Sequence, residues 1–124
     1  MWRLIGITLP QYKDWKKEKQ IIKNLLQNNE IEYFHIRKPE FTSEKMSLWL
    51  EDLPLAIRKR LSLHDCLEVA KEFQIGGVHL NKRNNYTAPF AFEGRISRSC
   101  HSIEEVKEWK LKCDYLFLSP IYNS

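Results

Sequence analysis

All four histidines of this 124-residue chain fall at or just past the carboxyl ends of short apolar runs that read as strands. They sit in Tyr33-Phe34-His35-Ile36-Arg37, Leu61-Ser62-Leu63-His64, Gly77-Val78-His79-Leu80 and Ile96-Ser97-Arg98-Ser99-Cys100-His101. Side chains alternate faces along a strand. His35 therefore shares a face with Arg37, Ser62 with His64, Gly77 with His79, and Ser97 and Ser99 with His101. Phe34 and Ile36 take the opposite face. Small and polar groups from four successive strands thus share one phase, which is expected where one face of a sheet surrounds a polar pocket. Arg37 on that phase calls for an anionic partner, because an unpaired interior charge is expensive. In α/β proteins such pockets open at the carboxyl ends of parallel strands. Taken alone, each histidine also has a plainer reading. His79 can pack and hydrogen-bond inside the sheet, His64 can bond its strand-end neighbours, and His101 can bond backbone ahead of a helix.

The elements that must position these residues alternate along the chain. A strand over 3–8 precedes a helix capped by Asp14, with Trp15, Ile21, Ile22, Leu25 and Leu26 as its apolar stripe and Asn28-Asn29 as its end. Strand 31–37 follows, then a helix opened by Thr42 or Ser43 that buries Met46, Trp49, Leu50 and Leu53, with Pro54 disturbing its last turns. A strand near 60–64 leads to Asp65 and Glu68, a cap-like opening for a helix over 66–74. Gly76-Gly77 starts strand 77–80. The polar segment 81–94 carries little helix, and strand 95–99 follows it. Ser102 and Glu105 form a capping box for a helix burying Ile103, Val106 and Trp109, and strand 115–118 comes last. Strict β/α alternation implies a parallel sheet with right-handed crossovers.

Composition narrows the classes. The chain carries 20 basic and 16 acidic residues, a net charge of +4, with 43% hydrophobic residues. These values fit one domain over 1–124, without repeats or low complexity. The densest basic stretch, Lys13 to Lys19, reads as a solvated helix face, and Arg58-Lys59-Arg60 as a polar helix-to-strand junction. Neither has the interleaved aromatics of a nucleic-acid surface. No apolar run approaches the ~18 residues of a membrane span, so neither nucleic acid nor membrane is an expected partner. Three cysteines without CxxC spacing lead us to expect free thiols in a reducing cytoplasm and no zinc site built from them.

Four blocks carry a family resemblance. Phe34-His35-Ile36-Arg37, Gly77-Val78-His79-Leu80, Arg98 to Glu105 and Asp114 to Ile121 stand in the order and spacing of the thiamine phosphate synthase and TenI family. The resemblance implies a (β/α)₈ TIM barrel, of which this chain holds six strands and lacks the last two βα units. It also implies two activities. The synthase joins a pyrimidine diphosphate to a thiazole phosphate with magnesium. Its pattern has Gln-x-Arg-x-Lys, then Asn-Asp, then an acidic residue after Gly-Val-His-Leu-Gly-Gln. Here those positions read His35, Arg37 and Pro39, then His64-Asp65, then Asn81-Lys82-Arg83-Asn84. Only Arg37 and Asp65 match, so magnesium, with Asp65 as its ligand, is expected only on the synthase reading.

Phe-His-Ile-Arg and Arg-Ser-x-His-Ser resemble the TenI branch more closely. Its tautomerases aromatise a thiazole carboxylate phosphate without a cofactor or metal. By that resemblance His101 is the proton-transfer residue, since imidazole with its usual pKa of ~6.5 serves both directions. Ser99 is a ligand contact and Arg37 a carboxylate or phosphate partner. His35, His64 and Ser119 complete the substrate-binding set. The leading expectation is a TenI-like thiazole tautomerase, with the synthase second and a non-catalytic ligand- or partner-binding remnant third. Because six strands cannot close such a barrel, the chain is expected either to be a fragment or to self-associate through its open edges.

Overall fold

The computed structural model describes residues 4–84 and 92–118, so Ser119 lies outside the described residues. Strands β1 (Ile5–Ile7), β2 (Tyr33–Ile36), β3 (Leu61–Leu63), β4 (Gly77–Leu80), β5 (Arg95–Cys100) and β6 (Tyr115–Leu118) alternate with helical segments. These segments are α1 (Trp15–Gln27), α2 (Ser43–Leu50), α3 (Leu55–Arg58) and α4 (Ile103–Trp109). The six strands pair in chain order, each parallel to the next, with β1 and β6 at the edges. The result is an open half-barrel, the first six strands of the expected (β/α)₈ plan.

The register explains why two faces form. Phe34, Ile36, Leu61, Leu63, Val78 and Leu80 point outward and meet Ile22 and Leu26 of α1 and Met46, Trp49 and Leu50 of α2. Alternate positions between them face inward. The helices begin where the sequence calls for caps. Asp14 accepts from the Lys17 N–H, Thr42 from the Lys45 N–H and Ser102 from the Glu105 N–H, each satisfying a donor the first turn leaves unpaired. Pro54, extended at ψ 152°, begins the separate helix α3. The 58–60 junction is polar as expected, with Arg60 donating to the carbonyls of Leu26, Ile31 and Glu32.

Three expectations are corrected. The helix over 66–74 is only a 3₁₀ turn at Leu67–Val69. Cys66 takes a left-handed φ of 56° and caps nothing, and Gln74 a φ of 53°. The Asp65 carboxylate is drawn away to the Lys38 N–H and Arg83, while Glu68 binds the Ser43 hydroxyl. Ile21 and Ile103 are 45% and 52% exposed, so the buried stripes of α1 and α4 are narrower than their apolar residues suggest. Lys19 departs from the solvated face, burying its stem and pairing with Asp52 at 2.8 Å. Tyr33 shares the inner face with His35, as its phase implies, and the Arg95 guanidinium lies 3.9 Å from its ring centroid.

One ion pair had no sequence signal. Lys38, just after β2, is fully buried, and its Nζ donates to Glu18 of α1 at 2.7 Å and to the Leu9 carbonyl at 2.8 Å. Glu18 also accepts from the Trp49 indole N–H at 3.1 Å. This network ties α1 and α2 to the end of β2. Among the described residues no helix is long and apolar enough to cross a membrane.

Candidate functional site

The inner face gathers three of the four histidines. His35 lies level with Ser62 in the β2–β3 register, Ser62 with Gly77 across β3–β4, and His79 with Ser97 across β4–β5. A Cβ at Gly77 would collide with Ser62 Oγ, so glycine is what lets these two strands approach at the centre of the face. Around them the rings close into one cluster. His64 and His79 stack with centroids 4.0 Å apart and planes 16° from parallel, and His35 stands edge-on to both. Phe117 of β6 covers the group, 4.8 Å from His35 and 4.7 Å from His79.

Hydrogen bonds fix the rings. His35 Nδ1 lies 2.7 Å from His64 Nε2, and His35 Nε2 lies 2.7 Å from the Tyr115 hydroxyl. Two proton arrangements satisfy this chain. Either the Tyr115 hydroxyl donates to His35, which donates to His64, or the whole direction reverses. His79 is held at both nitrogens, by Ser97 and Ser99 hydroxyls at 2.7 Å each. Burial, then His79 and Arg95, pushes His35 down to about 3. Burial, then Arg83 and Arg98, pushes His79 down to about 4. His64 is pushed well below the usual range, by burial first and then by His79, His35, Arg83 and Arg37. All three imidazoles are therefore neutral at pH 7, each with one N–H and one lone pair.

At the carboxyl ends of β2 to β4 a cavity of about 530 Å³ opens, lined by Thr42, Ser43, His64, Asp65, Arg83 and Asn84 among others. A larger cavity of about 1090 Å³ lies at the opposite ends of the strands, around Gly76, Arg95 and Asp114, and none of the histidines lines it. The smaller cavity adjoins the residues with chemistry. Its acidic group is already engaged: Asp65 accepts from the Lys38 N–H at 2.8 Å and from Arg83 Nε at 2.9 Å and Nη2 at 3.3 Å. Asn84 turns inward, donating to the His79 carbonyl at 2.9 Å and accepting from the Asn81 N–H at 3.0 Å. A guanidinium and a neutral amide thus stand where magnesium would need hard anionic oxygens, and these residues do not fit that ion.

The structure brings His35 and His64 together, as their shared phase implies, and adds Ser99 through its bond to His79. Arg37 is half-buried, not interior, and its guanidinium makes no hydrogen bond or ion pair to a described residue. Its backbone N–H is held by the Thr8 hydroxyl at 3.0 Å. His101 is exposed just beyond β5 and stands apart from the three-ring cluster, also without a hydrogen bond to a described residue. The plainer reading of His101 as a backbone-bonding residue is therefore not realised among the described residues; Ser102 does the capping. Sequence reasoning missed Arg83 and Tyr115 as members of the site. Three free cysteines are as expected, and burial raises the Cys66 thiol to about 11, so it is a poor nucleophile.

Residues 4–124 match the family model described as thiamine monophosphate synthase. Among solved structures, the chain is similar to the crystal structure of thiamine phosphate pyrophosphorylase from Bacteroides thetaiotaomicron, with 36% sequence identity and a TM-score of 0.84. That match covers 98% of this chain and 59% of the other, so the present sequence spans little more than half of that protein's length. No curated protein matches.

Proposed function

The chain belongs to the thiamine monophosphate synthase/TenI family, and from that premise we propose that it serves a cofactor-free proton transfer on a thiazole phosphate. The observation that carries this reading is the Arg83–Asp65 pair. It occupies the Asp65 carboxylate with a guanidinium in the place a divalent ion would take, and Arg37 adds a second guanidinium near His64, which suits an anionic ligand bound without that ion. Arg37 and Arg83 would hold the carboxylate or phosphate, since guanidinium groups recognise both in bidentate fashion. Ser99, His35, His64 and Ser119 are the remaining proposed ligand contacts.

His101 is the proposed proton-transfer residue. Its exposed imidazole, beyond the end of β5, would take a proton from one ring position of the thiazole and return one to another. The net change is a shifted double bond, with no oxidant, reductant or co-reactant. The test is deuterium incorporation: thiazole carboxylate phosphate in D₂O, incubated with the longest native polypeptide that carries this sequence. Exchange lost in His101→Ala supports the reading, and exchange at the native rate removes it.

The likeness to a thiamine phosphate pyrophosphorylase favours a second reading, the synthase reaction, which would join a pyrimidine diphosphate to a thiazole phosphate with magnesium. Asp65 would then have to release Arg83 to bind the ion. The open β1 and β6 edges support self-association of this chain, which sedimentation at micromolar concentration reads directly. A biosynthetic role in the cytoplasm goes with either enzymatic reading.

A further inference from the structure

We propose that His35, His64 and His79 form a binding site for one transition-metal dication of the zinc type, held by ring nitrogens from the adjacent strands β2, β3 and β4. One nitrogen from each ring lies within 4.8 Å of the other two, and all three residues are buried. His35 Nδ1 and His64 Nε2 already face each other at 2.7 Å across a single shared proton. A dication can take the place of that proton. Zinc–nitrogen bonds of ~2.0–2.1 Å set tetrahedral nitrogens about 3.3 Å apart. The facing pair would open by roughly half an ångström and the third nitrogen would close by up to about 1.5 Å, within reach of ring rotation.

The surroundings supply what a metal-bound imidazole needs at its other nitrogen. Tyr115 holds His35 Nε2, and a serine hydroxyl holds each nitrogen of His79, so one is kept after the other turns to the ion. Ser62 adds an independent observation. Ser62 is 1% exposed, shares the face of His64 and lies level with His35, and its buried hydroxyl has no hydrogen-bond partner among the described residues. A buried hydroxyl of that kind is suited to a solvent ligand in the fourth position. An all-imidazole set favours zinc, nickel or copper and does not suit magnesium. Arg37, Arg83, Arg95 and Arg98 all act on these rings, so the fourth ligand should be anionic, a hydroxide.

The site shares His35 and His64 with the ligand contacts proposed above, and it is tested without the reaction. The purified chain is dialysed against zinc chloride with excess magnesium, and its metal content is measured. One zinc per chain is expected, retained against magnesium. Cobalt(II) should give tetrahedral visible bands without a thiolate charge-transfer band, which separates the histidines from Cys66, Cys100 and Cys113. His64→Gln should lower zinc affinity at least ~100-fold, and Tyr115→Phe ~10–100-fold. Zinc should raise the Tm of the native chain and leave that of His64→Gln unchanged. Equal zinc binding by native and His64→Gln chains, or a folded native chain that retains no zinc, would overturn the proposal. If His64→Gln does not fold, the cobalt spectrum decides: a thiolate band or weak octahedral absorption rejects the site.

Discussion

Lys38→Met should unfold this protein far more easily than its position beside a loop suggests. The Lys38 side chain is 0% exposed and that of Glu18 8% exposed, and they meet at 2.7 Å. Removing the ammonium leaves a buried carboxylate whose other bond is to the Trp49 indole, and the Leu9 carbonyl loses its donor. Breaking a buried pair from one side costs about 3–5 kcal/mol, against a total stability of about 5–15 kcal/mol for a domain. At about 4 °C per kcal/mol for a chain of this size, Tm should fall by roughly 12–20 °C. The double variant Lys38→Met/Glu18→Gln should recover most of the loss, because an amide oxygen still accepts from Trp49 and no unpaired charge remains. Urea unfolding of the four proteins gives the coupling energy directly. A single-variant cost under about 1 kcal/mol, or strictly additive losses, would refute the reasoning. The Lys38 backbone N–H also holds Asp65, so the single variant should loosen the cavity mouth as well.

Two further outcomes follow from the site. His35 and His79 titrate at about 3 and 4 in the folded chain, against ~6.5 when unfolded, and His64 shifts the same way. The unfolded chain therefore binds more protons below ~6.5, so the stability these rings allow is complete above that pH and is lost as pH falls toward the folded values. Three such groups should remove about 4 kcal/mol between pH 7 and pH 5.5. Urea midpoints at the two pH values check this, and equal midpoints would show that the rings are not held neutral. His101→Ala should lower tautomerase turnover by ~10²–10⁴-fold while the circular dichroism spectrum stays native. Unchanged turnover in steady-state assays would strip His101 of its role.

The period-2 phase of the histidines carried the inner face, because a strand has only two sides and Phe34 and Ile36 had to take the outer one. Caps at Asp14, Thr42 and Ser102 were equally legible, since a short oxygen-bearing side chain ahead of an apolar stripe acts locally. What failed depended on residues distant in the chain. Asp65 looked like a cap until Arg83 and the Lys38 N–H claimed its oxygens, and the helix over 66–74 was reduced to a turn. Arg83 read only as the absence of an acid, though its charge pairs with Asp65. Tyr115 read only as the first residue of the last strand, while its hydroxyl completes the His35 hydrogen bonds. Nothing near Lys38 marks it for burial, because Glu18 lies twenty positions away on another element. His101 matched the family block, yet it sits outside the cluster that the other three histidines form.

Calorimetry on the native polypeptide that carries this sequence tests most directly whether the site serves an anion without magnesium. Thiazole carboxylate phosphate and a pyrimidine diphosphate are titrated in turn, each with and without added magnesium. The Arg83–Asp65 pair predicts that the thiazole phosphate binds equally under both conditions, and that Arg83→Ala weakens it by about tenfold or more, the scale of one charge-assisted hydrogen bond. Micromolar binding of the pyrimidine diphosphate that appears only with magnesium would contradict the account and make Asp65 a metal ligand.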